Sequence, residues 1–214
     1  MNAETQTAGT TMLVLVVDRS GSMQSIRSDM EGGIKALLEE QGRGPGQCLV
    51  TLAQFDTEYE LVFQGVPAAE VGAYQLVPRG STALLDAIGR TIGVVRGSLD
   101  RVGPSNQPDQ VVFAVVTDGL ENASKEWSRD KVMAAVKQCS ASGWHFTFLG
   151  ANQDAIKESG HLGVHAGSAM TYAPAPGAVA AAMSSLSTSV GRLRRGTATS
   201  VSYTEEERQQ SGTA

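Results

Sequence analysis

The feature of the sequence that most constrains the fold is a short apolar run, residues 12–17, that ends abruptly in Asp18. The run is rich in valine and too short to span a membrane, so it predicts a strand buried on both faces, as in parallel sheets. Ligands of open parallel sheets gather at the carboxyl ends of strands. Ser20 and Ser22 follow Asp18 at alternate positions, and Gly21 allows a tight turn between them. Three oxygen donors at this place indicate a site for a hard cation.

Composition narrows the class of protein. The chain has 214 residues, 41% of them hydrophobic and 18% charged, which is typical of one globular domain with a full core. A formal net charge of −5 argues against the basic surface that nucleic-acid-binding proteins carry. No apolar stretch approaches the roughly 20 residues of a membrane helix, and the polar N-terminus lacks the layout of a signal peptide. We therefore expect a cytoplasmic protein that binds neither nucleic acid nor membrane, with Cys48 and Cys139 as buried reduced thiols.

Strand and helix patterns alternate along the chain. This alternation predicts a doubly wound α/β fold with an open, mainly parallel sheet. The link over residues 56–58 is so short that it suits an antiparallel hairpin, so one edge strand should run against its neighbours. The predicted strands are residues 12–17, 48–55, 59–63, 110–117, 144–149 and 169–172. The predicted helices are residues 25–41, 83–101, 127–139, a short segment ending at residue 158, and 178–193.

The same patterns predict the domain organisation. Residues 12–200 form a single domain, preceded by a flexible N-terminus over residues 1–11. Residues 201–214 are polar and are predicted to be a disordered tail. The glycine cluster over residues 42–46 follows a helix and precedes a strand. Nucleotide-binding loops need the reverse order, so we interpret this cluster as a turn.

Two further segments bring oxygen donors to the predicted carboxyl edge of the sheet. Thr82 ends a Gly-Ser-Thr loop before a helix, and Asp118 follows the strand over residues 110–117. Taken singly, the hydroxyls suit helix caps and Asp118 suits a turn. Taken together with the first loop, they give three hydroxyls and two carboxylates with no Cys or His among them. That donor set favours Mg²⁺, Mn²⁺ or Ca²⁺ over Zn²⁺.

These residues resemble the metal-ion-dependent adhesion site (MIDAS) of von Willebrand factor A domains. The similarity rests on the first loop Asp-Arg-Ser-Gly-Ser, the Gly-Ser-Thr loop and the Thr-Asp-Gly loop, in the expected order and spacing, and covers roughly residues 12–153. The segments RGSTALLDA and TDGLENAS resemble the small stand-alone bacterial or phage-encoded members. The resemblance implies a Rossmann-like fold and a metal site made of Asp18, Ser20, Ser22, Thr82 and Asp118.

The resemblance also implies a function. In the family, the residues matching Ser20, Ser22 and Thr82 bind the metal directly or through water, and those matching Asp18 and Asp118 usually act through water. Mg²⁺ is the default ion, and it keeps one position for an Asp or Glu of a partner protein. The expected function is therefore metal-dependent protein binding. Because Thr82 begins its own helix, its approach to the metal offers a way to couple partner binding to helix movement.

Two other functions stay open at this point. A phosphoryl-transfer enzyme also places an aspartate after the first strand of such a sheet, but it would want a second acid where Ser20 stands. The sequence has no Walker lysine motif and no Gly-x-Ser-x-Gly motif, and no histidine falls near the candidate site. These features favour binding over catalysis. The second alternative is a mainly structural role as a scaffold in an assembly.

Other polar and aromatic residues carry weaker signals. Asp86 lies one turn beyond the Gly-Ser-Thr loop and suits either an acceptor behind the metal ligands or a solvated helix position. His161 and His165 are four apart, but no glutamate follows the first histidine as in a zinc helix, so we expect surface histidines. Trp127 and Trp144 are expected to pack between helices and sheet.

Overall fold

The structure, a computed structural model, describes residues 9–151, 155–175 and 177–212. Over these residues six strands form one sheet in the order β3-β2-β1-β4-β5-β6. The strands are β1 (Thr10–Asp18), β2 (Gln47–Phe55), β3 (Tyr59–Pro67), β4 (Gln110–Thr117), β5 (Trp144–Ala151) and β6 (Ala169–Tyr172). The α-helices are α1 (Arg27–Arg43), α2 (Leu84–Val102), α3 (Arg129–Ala141), α4 (Ala155–His161), α5 (Ala178–Arg194) and α6 (Glu205–Gln210).

The strand directions confirm the predicted topology. All neighbouring strands are parallel except β2 and β3, which are antiparallel and joined by the short link after Phe55. The chain leaves β1 through α1 toward β2 on one side, and α2 later returns it to β4 on the other side of β1. The strand order therefore reverses between β1 and β4, which is the place where open α/β sheets bind ligands.

Alternate residues of β1 face opposite layers of helices, because successive side chains of a strand point to opposite faces. One face packs in a core cluster with α1 and α5, and the other with α2, α3 and α4. The first face carries Leu13, Leu15 and Val17, and the second carries Met12, Val14 and Val16. This burial on both faces explains the continuous apolar run. Cys48 and Cys139 lie in different clusters as buried free thiols, as predicted.

Two glycines permit close approaches of helices. A Cβ at Gly33 in α1 would lie 2.7 Å from Cγ of Met183 in α5. A Cβ at Gly89 in α2 would lie 2.0 Å from a ring carbon of Trp127. Neither distance is compatible with a side chain, so α1 meets α5, and α2 meets Trp127, only because glycine occupies these positions.

The boundaries of several elements differ from the prediction. A 3-10 turn, Gly21–Ile26, precedes α1, so the regular helix begins at Arg27. β1 begins at Thr10, inside the segment predicted to be flexible, because Thr10 donates its backbone N–H to Asp109 Oδ2 at 2.6 Å. Residues 1–8 of that predicted segment lie outside the described residues. No helix of the described residues is long and apolar enough to cross a membrane.

The prediction of a disordered tail over residues 201–214 is wrong for residues 201–212. Val201 and Tyr203 are buried, and the Tyr203 hydroxyl lies 2.6 Å from Oγ1 of Thr147 on β5. Thr204 then caps α6 in a reciprocal capping box with Glu207. The prediction failed because it relied on the polar composition of the segment and gave no weight to Val201 and Tyr203, which anchor it. Residues 213–214 lie outside the described residues.

Candidate metal centre

The loop after β1 presents its three predicted donors at the carboxyl edge of the sheet. Asp18 is fully buried, and its Oδ1 accepts the backbone N–H of Ser20 at 2.6 Å. Its Oδ2 accepts the hydroxyl of Thr117, at the end of β4, at 2.6 Å. The hydroxyls of Ser20 and Ser22 lie 3.1 Å apart. The loop thus turns its carboxylate toward β4, the neighbouring strand.

The other two loops meet this first loop. The Ser22 hydroxyl donates to Oδ1 of Asp118 at 2.7 Å. A Cβ placed on Gly119 would lie 3.1 Å from Thr82 Oγ1 and 3.9 Å from both Asp18 Oδ2 and Ser22 Oγ. The oxygens of all three loops therefore surround Gly119, where the absence of a side chain leaves room between them. The structure brings together all five residues that the sequence singled out.

The carboxylates of the centre carry negative charge that no basic side chain of the described residues compensates. Burial raises the pKa of Asp18 to about 6, against the hydrogen bonds from Thr117 and Ser20, and the nearby charge of Asp118 adds to the rise. Burial likewise raises the pKa of the Asp118 carboxyl, against the hydrogen bond from Ser22. Within the described ranges, neither carboxylate forms an ion pair with a Lys, Arg or His side chain.

This donor set fits a divalent cation. Two adjacent buried carboxylates without a basic partner are costly, and a bound cation would remove that cost. The remaining donors are hydroxyls, which together with carboxylates suit Mg²⁺, Mn²⁺ or Ca²⁺. Gly21 and Ser22 are exposed, so the centre opens to solvent and a ligand can reach it.

Arg19, inside the first loop, does not face these carboxylates. Its Nε donates to Oδ2 of the buried Asp56 at 2.8 Å, and a second guanidinium nitrogen donates to Oε2 of Glu60 at 2.5 Å. Arg79 donates to the same Asp56 oxygen at 2.8 Å, and its backbone N–H donates to the Arg19 carbonyl at 2.8 Å. Sequence reasoning missed this network. It ties the first loop to the loop that carries Thr82.

Asp86 follows neither of the two interpretations that the sequence left open. It is only 9% exposed, and its carboxylate accepts the backbone N–H groups of Lys125, Glu126 and Trp127 at 2.7–2.9 Å. Burial opposes its ionisation, but these donors together with Arg90 hold the pKa of Asp86 below its ordinary value. Asp86 therefore anchors the segment that follows Asp118. The available sequence signal was the group of polar residues Glu121, Asn122 and Ser124 shortly after Asp118-Gly119.

The remaining candidates lie as expected. His161 and His165 are exposed, and Nδ1 of His161 lies 3.6 Å from Oε1 of Glu158. Trp144 belongs to the core on the α2–α3 side of the sheet, and Trp127 packs at its edge. None of these side chains contributes to the metal centre.

No family model matches the sequence, and no curated protein matches it. Solved structures do match. The von Willebrand factor domain of the type V pilus tip protein Mfa5 from Porphyromonas gingivalis aligns with a TM-score of 0.64 and 10% identity, over 86% of this chain and 95% of that chain. Proximal thread matrix protein 1 of the mussel byssus aligns with a TM-score of 0.61 and 17% identity, over 87% and 46%.

A von Willebrand factor type A protein from Catenulispora acidiphila aligns with a TM-score of 0.61 and 15% identity, over 85% of this chain and 42% of that chain. The chain spans less than half the length of this protein and of the byssus protein. A further structure of the byssus protein, with zinc in its MIDAS motif, aligns with a TM-score of 0.53, 13% identity, and 88% and 45% coverage. At these identities the likeness concerns the fold: this chain has the Rossmann-like α/β fold of von Willebrand factor A domains.

Proposed function

We propose that this chain is a protein-binding module that docks an acidic residue of a partner on a divalent cation, Mg²⁺ by default. Asp18, Ser20, Ser22, Thr82 and Asp118 would hold the cation, and all five converge at the carboxyl edge of β1 and β4. When bound, the cation would supply positive charge and an open position for a carboxylate oxygen. The protein itself supplies the shape of the site and the exclusion of competing basic groups.

The observation that carries this proposal is the pair of buried carboxylates, Asp18 and Asp118, with no basic side chain from the described residues against them. Keeping both members of such a pair ionised is costly unless another charge compensates them. Arg19 is the residue next to Asp18 in the sequence, but its guanidinium group donates to Asp56 and Glu60 instead. A cation from solution is the simplest remaining source of that charge.

Binding is favoured over catalysis by the chemistry of the same groups. The Ser20 and Ser22 hydroxyls are hydrogen-bonded to each other, and Ser22 donates to a carboxylate, a base too weak to generate an alkoxide at neutral pH. The described donors of the centre include no His, Lys or Cys to serve as a stronger base. Among the structurally similar proteins are a pilus tip protein and a byssus matrix protein, which supports a role in protein interaction.

The first test is metal binding. Wild type, Asp18→Asn, Asp118→Asn and the exposed control Asp100→Asn would be titrated with Mg²⁺ in thermal unfolding. At 100 times Kd, a cation stabilises the folded state by about 2.7 kcal/mol, which corresponds to roughly 5–10 °C in Tm for a chain of this size. The rise should occur in wild type and Asp100→Asn and disappear in the two site variants. Equal rises in all four proteins would place any metal elsewhere.

The second test is the docking of an acidic group. A displayed library of random peptides would be selected on immobilised wild type in Mg²⁺ and eluted with EDTA. Selected peptides should share an Asp or Glu whose change to Asn or Gln abolishes binding, and Asp18→Asn should bind none of them. Binding that persists in EDTA would favour the scaffold role. Metal-dependent hydrolysis of p-nitrophenyl phosphate that is lost in Asp18→Asn would favour phosphoryl transfer.

A further inference from the structure

The start of α2 is capped by side chains from a distant segment. The N-cap residue Ala83 offers no side-chain hydrogen bond, although the first turn of any helix leaves backbone N–H groups unpaired. Residues 121–127, called the capping segment below, supply the missing acceptors. Glu121 Oε2 accepts the Leu85 N–H at 2.9 Å, and Ser124 Oγ accepts the Asp86 N–H at 3.0 Å.

Asn122 in the capping segment holds Thr82 in particular. Its Oδ1 accepts the Thr82 N–H at 2.9 Å, and its backbone N–H donates to the Thr82 carbonyl at 3.0 Å. Both backbone polar groups of Thr82 are therefore fixed by one residue, 40 positions later in the chain. Thr82 is only 3% exposed, whereas Asn122 lies at the surface, so the surface residue holds the buried one in place.

The capping segment is in turn held in place by hydrogen bonds to Asp86 of α2 and to its own Glu121. The Asp86 carboxylate accepts three of its backbone N–H groups, and Glu121 Oε1 accepts the N–H groups of Ala123 and Ser124 inside the segment. Each part therefore caps the other. Because only Gly119 and Leu120 separate the capping segment from Asp118, Thr82 and Asp118 are carried by one hydrogen-bonded unit.

We propose that Asn122 is a positioning residue of the metal centre: it fixes the backbone of Thr82 so that the Thr82 hydroxyl points at the space beside Gly119. This inference rests on the proposed function, because the hydroxyl matters only where a cation uses it. The geometry behind it is the 3.1 Å between Thr82 Oγ1 and a Cβ built on Gly119, which places this hydroxyl beside the same space that Asp18 Oδ2 and Ser22 Oγ border. A small rotation of the Thr82 backbone would move this oxygen away from the other donors.

Ser124 provides a matched comparison. It belongs to the same capping segment as Asn122, and its hydroxyl accepts the Asp86 N–H in the first turn of α2. It has no hydrogen bond with Thr82. A purely structural role for the capping segment predicts similar effects of Asn122→Ala and Ser124→Ala on metal affinity. A positioning role predicts that only Asn122→Ala weakens metal binding beyond what lost stability explains.

The test measures two quantities on the full chain. Mn²⁺ affinity would be determined by electron paramagnetic resonance titration, and the exchange rate of the Thr82 amide by NMR in the metal-free protein. We expect Asn122→Ala to weaken Mn²⁺ binding by about tenfold, as for other residues behind metal ligands, and to speed exchange at Thr82. Ser124→Ala should change Mn²⁺ affinity by less than about twofold. Asn122→Asp keeps the acceptor oxygen and should restore slow exchange at Thr82.

The outcomes separate the two proposals. If wild type binds Mn²⁺ and Asn122→Ala binds it equally well, the positioning role is overturned while the proposed function stands. Equal weakening by Asn122→Ala and Ser124→Ala also overturns it, in favour of a purely structural role. If wild type binds no Mn²⁺, both proposals fail. Exchange at Thr82 that is unchanged in Asn122→Ala would show that the contact does not hold Thr82, whatever the metal does.

Discussion

Replacing Asp86 with alanine should destabilise the protein far more than replacing an exposed aspartate of the same helix. Its carboxylate accepts three backbone N–H groups of the capping segment at 2.7–2.9 Å. A hydrogen bond to a charged group contributes about 1.5–3 kcal/mol. The three contributions do not add fully, because Lys125 and Glu126 are exposed and water can reach their N–H groups. We therefore expect a loss of about 3 kcal/mol in the free energy of unfolding.

Urea denaturation at pH 7 in EDTA measures this loss without a contribution from bound metal. The matched control is Asp100→Ala, an exposed residue of α2, which should change the free energy of unfolding by no more than about 0.5 kcal/mol. A loss in Asp86→Ala within about 1 kcal/mol of the control would refute the anchoring role. Asp86→Asn keeps an acceptor oxygen without the charge and should lie between the two.

The same residue predicts a pH dependence with a definite sign. Burial disfavours the Asp86 carboxylate, but its N–H donors and Arg90 outweigh burial and lower the pKa of Asp86 in the folded protein. Its stabilisation is therefore fully present above the unfolded pKa, about pH 4, and is lost as the pH falls through the folded value. The stability difference between wild type and Asp86→Asn should shrink below about pH 4. A difference that is constant from pH 7 to pH 3 would contradict this assignment.

Two further changes test other parts of the centre. Gly119→Ala would place a methyl group 3.1 Å from the Thr82 hydroxyl and between the donor oxygens. Mn²⁺ affinity in the titration above should therefore fall by about tenfold or more. An unchanged affinity would contradict the proposed site. Arg19→Met removes one of two guanidinium groups from the buried Asp56, and should cost about 2–3 kcal/mol in urea denaturation. The exposed control Arg43→Met should cost less than about 1 kcal/mol, and an equal loss in both would show that the Arg19 network adds no stability.

Much of the sheet could be predicted because its signals are local. The apolar runs before Asp18 and Asp118 each identify a strand buried on both faces, and the three-residue link between β2 and β3 allows only an antiparallel pair. The convergence of Asp18 and Asp118 followed from topology, since carboxyl ends of parallel strands share one edge. Thr82 joins them because it lies just before α2, the helix that returns the chain to the start of β4. That these residues hold a cation stays a prediction.

The capping segment and the end of the chain could not be predicted in the same way. Asn122 and Thr82 are 40 residues apart, and no local pattern indicates which side chain caps a helix from a distance. The segment over residues 201–212 shows a different error. Thr204 and Glu207 form a capping box, which is a visible signature, but the polar composition around it concealed the two anchoring residues Val201 and Tyr203.

The hydrogen bonds around Thr82 bear on whether partner binding moves α2. The family resemblance suggested that an approach of Thr82 to the metal couples binding to movement of this helix. Here the Thr82 backbone is held by Asn122, and the next helical turn is held by Glu121 and Ser124. A shift of α2 relative to the capping segment would have to break these contacts together. Since ordering a flexible site reduces affinity, a site held this way binds at lower conformational cost. We therefore expect the proposed module to bind its partner on a preformed site, and we expect any movement of α2 on binding to carry the capping segment with it.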